Sequence, residues 1–93
     1  MSPATIATNR ELALPVVHLN GTSRDALLEG YIDSCNALQH AIEVVQKNGP
    51  NARDYYVSRV FAFAQAQHES RLERLASVLA ELRQIGEHVA GLT

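Results

Sequence analysis

Two rows of hydrophobic residues, separated by a single break, organise most of this chain. In the first row Leu28, Tyr31, Cys35, Leu38, Ile42 and Val45 recur at alternating spacings of three and four, the 3.5-residue period of a helix that buries one stripe against another helix. Leu27, Ala41 and Val44 widen this row. The pattern predicts a helix over about 23–47, regular from Arg24 to Lys47, that stops at Asn48-Gly49-Pro50. Glycine suits the left-handed position after a helix, and proline cannot continue one. The second row runs Val57, Phe61, Ala64, His68, Arg71, Leu75, Val78, Leu82, Ile85 and Val89, with Leu72 and Leu79 alongside. It predicts a longer helix over about 52–88, capped by Asn51 or Asp54, since no proline follows Pro50 and the interior Gly86 lies near the end.

Upstream, "LPVVHLNGTS" (Leu14 to Ser23) changes character twice. The β-branched "VVHL" reads as an extended arm or brief strand with no partner strand in this chain. Asn20-Gly21 supports a turn with positive φ, and Thr22 or Ser23 then offers a hydroxyl to the first unpaired helical N–H groups, with Asp25 toward the positive helix end. Residues 1–13, "MSPATIATNRELA", have no sustained period. Residues 1–21 are therefore expected to be a flexible leader and extended arm, and residues 22–93 the helical part.

Two such helices joined by a short link fold back as an antiparallel αα-hairpin with a coiled-coil-like crossing, so the fold class is all-α. Leu28, Tyr31, Cys35, Leu38, Ile42 and Val45 would meet Phe61, His68, Leu72, Leu75, Leu79 and Leu82 along one seam. An isolated hairpin leaves Leu27, Val44, Phe63, Leu72 and Leu79 poorly covered, and a second copy would cover them as a dimeric four-helix bundle. Two polar residues interrupt the second row. Folding about Gly49-Pro50 places His68 near Tyr31 and Arg71 near Leu28, a polar layer of the kind that fixes register in coiled coils. Alternatively the second helix rotates, sending Leu72 inward and His68 to the rim.

Length and composition narrow the class. Ninety-three residues with 46% hydrophobic and 19% charged positions suit one globular domain. Eight Lys and Arg against ten Asp and Glu give a formal charge of -2, so the electrostatic footprint of a nucleic-acid binder is missing. The single Cys35 cannot form an intrachain disulfide, and no basic and apolar signal opens the chain, which predicts a reducing, cytoplasmic location. No apolar run approaches the roughly 18 residues of a membrane span.

Little of the side-chain chemistry points to a reaction. The four histidines, His18, His40, His68 and His88, do not pair at three or four residues on a helix face, so no metal site is expected and no cofactor is implied. Cys35 lies on the apolar row with no basic neighbour to activate it. The serines have neither an adjacent base nor elbow glycines, and the five glycines are scattered at 21, 30, 49, 86 and 91 rather than gathered into a phosphate loop. The arginines of the second helix alternate with acids, which makes a mixed-charge solvated face. No catalytic residue is expected. In "RDYY", Tyr55 and Tyr56 would pack over the closed end of the hairpin, or else join Val16 and His18 of the arm in a surface for another protein.

"LPVVHLNGTSRDALLEG", "ARDYY" and "FAQAQHESRLERLASVLAEL" together resemble a group of small proteins from tailed phages and bacterial prophages that open on a similar Pro, His-Leu-Asn-Gly-Thr segment. The likeness spans about residues 14–85 and is carried by Asn20-Gly21-Thr22 and Tyr55-Tyr56. It implies a phage-encoded protein in the bacterial cytoplasm, with no catalytic residues to carry over. The expectation is a non-enzymatic homo-oligomer that binds another macromolecule, a host or phage protein. A nucleic-acid-associated accessory protein and a small metal- or ligand-binding bundle are the alternatives.

Overall fold

The computed structural model describes residues 11–92, and residues 1–10 of the expected leader, 1–13, lie outside them. Two α-helices dominate: α1, Arg24–Lys47, and α2, Phe61–Ala90. They pack against each other as an antiparallel hairpin, and among the described residues there is no strand.

The start of α1 follows from its cap. Ser23 has an extended backbone and its Oγ accepts the Ala26 N–H at 3.2 Å, while Asp25 sits in the positive first turn. The helix ends at Asn48, whose N–H donates to the Val44 and Val45 carbonyls and whose side chain donates to Val44 O at 2.8 Å. No glycine among the described residues has positive φ, which corrects the left-handed role expected of Gly49 and of Gly21. Both instead lie close under a histidine ring. A Cβ on Gly49 would lie 2.9 Å from His68 Nε2, and one on Gly21 would lie 3.0 Å from His18 Nε2.

The second helix begins at Phe61, nine residues later than the expected 52. Asn51 caps only a single 3-10 turn, Ala52–Tyr55, by accepting the Arg53 N–H at 2.9 Å. The chain then turns through Arg59, which takes the left-handed conformation at φ 61°. Aromatic and β-branched Tyr55, Tyr56, Val57 and Val60 are weak helix formers, and Val60 supplies no side-chain cap. The link is thus a folded loop of thirteen residues, Asn48 through Val60, rather than a tight turn.

That loop resets the register of the whole hairpin. His68 meets Gly49, and Tyr31 lies against Gly86, where a Cβ would sit 3.4 Å from Tyr31 Cβ. The pairing of His68 with Tyr31 and of Arg71 with Leu28 expected from a fold at Gly49-Pro50 is therefore displaced by about five turns of helix. Two polar ties agree with the new register: Arg83 Nη2 donates to Gln39 Oε1 at 3.2 Å, and Arg24 Nη2 donates to Ala90 O at 2.7 Å. The second tie satisfies a carbonyl left free at the C-terminus of α2.

Candidate interaction surface

The core seam accounts for most of the residues marked by periodicity. Leu28, Tyr31, Cys35, Leu38, Ile42 and Val45 of α1 are all half-buried, as are Phe61, His68, Leu72, Leu75 and Leu82 of α2. Leu79 is buried, at 5% exposure. Within α2 the seam turns toward Leu72 and Leu79, leaving Arg71 and Val78 exposed, while Val57 stands outside the helix and is exposed. Rotation did not expel His68, because the loop brings Gly49 against its ring.

The two halves of the expected partner surface lie at opposite ends of the molecule. Tyr55 is half-buried in the closed end, its ring 6.2 Å from that of Phe61, whereas Tyr56 is 81% exposed. Val16 and His18 belong to the arm, which is fixed at the open end where His88 Nε2–H donates to Pro15 O at 3.0 Å. Val16 is exposed, and His18 serves its own turn: Nδ1 accepts the Asn20 N–H at 3.3 Å and Gly21 N–H reaches His18 O at 3.0 Å. The His88 latch and the Arg24 tie escaped periodicity because both use a main-chain carbonyl, which no side-chain pattern encodes.

His18, His68 and His88 each meet a different part of the backbone, His40 is exposed, and among the described residues no three of His, Cys, Asp and Glu gather as metal ligands. What the hairpin does present is uncovered apolar surface. Among the described residues only Leu79 and Val89 are buried, while Ile32, Val44, Phe63 and Val78 stay exposed on the helices, Val60 at the end of the loop, and Leu14, Val16 and Leu19 on the arm. One open groove of about 380 Å³ runs beside Leu28, Tyr31, Ile32, Cys35 and Gly86. A second hollow of about 350 Å³ lies on the other flank of α1, over Leu27, Gly30 and Ser34.

Charge is unevenly spread along the rod. In the open half, residues 11–35 and 82–92, Glu11, Asp25, Glu29, Asp33 and Glu87 face only Arg24 and Arg83, a net of -3. In the closed half, residues 36–81, Glu43, Asp54, Glu69, Glu73 and Glu81 are balanced by Lys47, Arg53, Arg59, Arg71 and Arg74. No described helix is long and apolar enough to cross a membrane. No protein-family model, curated protein or solved structure matches the chain.

Proposed function

We propose that this chain is a non-enzymatic, self-associating protein of phage or prophage type that acts in the bacterial cytoplasm by binding another macromolecule and needs no cofactor. One observation carries the reading: a hairpin that buries only Leu79 and Val89 among its described residues leaves Val44, Phe63 and Val78 in water. Large apolar side chains in excess of what one copy covers mark a surface used in association. The dimensions suit a second copy. A face about 45 Å long and roughly 20 Å wide, from 30 residues of α2 and two helix diameters, is comparable to the ~800 Å² each partner contributes to a stable interface.

The phage assignment follows the resemblance carried by Asn20-Gly21-Thr22 and Tyr55-Tyr56. In this reading Tyr56 and the arm around Val16 remain as contact area for a further protein, since tyrosine gives large contact at low entropic cost. Sedimentation velocity at micromolar concentration tests the self-association. A dimer is the expected species, and a folded monomer with native helicity would overturn the proposal.

A further inference from the structure

The arm carries backbone groups that nothing else in the described chain uses. From Leu12 to His18 it runs without turn or bend, and exposure alternates along it: Leu14 and Val16 are 48% and 70% exposed, whereas Pro15 is half-buried and Val17 is 38% exposed. That two-residue period is the one of a β-strand lying on the hairpin, and Val16-Val17 supplies the β-branched residues such a strand favours.

In an extended chain, successive residues aim their N–H and C=O groups at opposite edges. Pro15 has no N–H, and its carbonyl accepts from His88, so the edge it shares with Val17 is turned to α2. The opposite edge belongs to Leu14, Val16 and His18. Among the described residues none of their N–H groups has an acceptor, and the Leu14 and Val16 carbonyls have no donor. A β-branched edge with unpaired backbone groups is a template for pairing with another strand.

We infer that this edge is filled by the same edge of a second copy, the two arms pairing antiparallel about a two-fold axis at Val16. The pairing rests on the self-association proposed above and adds a backbone contact to it. In this register the Val16 N–H and C=O meet those of the other Val16, and the His18 N–H meets the Leu14 carbonyl, so each free group finds its complement in an identical row. Pro15 falls opposite Val17, at a position that asks for no N–H, which is where an edge strand tolerates proline. No Asp, Glu, Lys or Arg lies between Glu11 and Arg24, and Glu11 falls opposite Gly21, so no like charges meet in the ribbon. Repulsion between the acids of the two open halves is screened beyond about 8 Å at physiological salt. The side chains of Leu14 and Val16 stay on the outer face, which doubles the apolar area the arm offers a further protein.

Two experiments decide it, both on the full chain. Val16→Pro removes the central N–H without touching either helix, so helicity should persist while the dimer dissociation constant rises by about tenfold or more; Val16→Thr, which keeps the N–H, should dimerise like wild type. In a Cys35→Ala background, Val16→Cys should oxidise to a covalent dimer at least about tenfold faster than Leu14→Cys. Residue 16 meets its own copy with Cα atoms about 5.5 Å apart, within disulfide reach, whereas residue 14 is displaced from its copy by about 13 Å along the strand. Equal rates, the mark of parallel or unpaired arms, would overturn the inference, as would a dimer that Val16→Pro leaves intact, and in either case self-association stands. A monomeric wild type would remove both.

Discussion

Val78 and Leu79 are adjacent residues on which the rotation of α2 can be measured. The hydrophobic spacing puts Val78 in the row and Leu79 beside it, yet Val78 is 47% exposed and Leu79 5%. Leu79→Ala removes three aliphatic carbons from one of the most enclosed points of the hairpin. At ~0.8 kcal/mol per buried CH2 the transfer loss is about 2.4 kcal/mol, and the cavity left between two stiff helices brings the cost to about 3 kcal/mol, within the ~2–5 kcal/mol usual for such truncations. Val78→Ala loses less than half as much apolar contact, and alanine's better helix propensity returns about 0.5 kcal/mol. Its net effect should stay within ~0.5 kcal/mol of zero. Urea unfolding followed by helical circular dichroism, at one protein concentration for all variants, reads the difference directly. Equal costs for the two, or a larger cost for Val78→Ala, would refute the observed rotation of α2 and the seam built on it.

Three further substitutions test the ties around the hairpin. Arg24→Met removes the donor to Ala90 O at 2.7 Å but keeps the apolar stem, and should cost about 1 kcal/mol in the same unfolding experiment because the site is partly solvated; no loss would mean the helix ends are not joined there. Gly49→Ala drives a Cβ to 2.9 Å from His68 Nε2, and should destabilise by about 1–2 kcal/mol. That cost should shrink in a His68→Ala background, and a stabilised Gly49→Ala would place the ring elsewhere. Arg59→Gly has the opposite sign: relief of a left-handed residue at φ 61°, worth ~1–2 kcal/mol, exceeds the ~0.5–1 kcal/mol entropic cost of glycine. The variant should melt higher than wild type, and a lower melting temperature would show that Arg59 is unstrained.

The sequence by itself determined the helical class, the span of α1 and the antiparallel pairing. Those features rest on local chemistry: a three-four spacing of apolar residues, a serine cap at Ser23 and a break at Asn48-Gly49-Pro50, each legible within a few residues. Tertiary structure decided where α2 begins and how it is registered. Extrapolating apolar periodicity back to Val57 overran the helix, since nothing in a hydrophobic spacing registers that Arg59 reverses the backbone. Register is a cumulative quantity, so the nine residues transferred from helix to loop moved His68 from Tyr31 to Gly49 and brought Gly86 under Tyr31. The same geometry separated Val16 from Tyr56, fixed Pro15 on His88 and joined Arg24 to Ala90. These contacts link residues far apart in the chain through backbone carbonyls, which every residue carries alike, and only the folded path of the chain selects which of them are met.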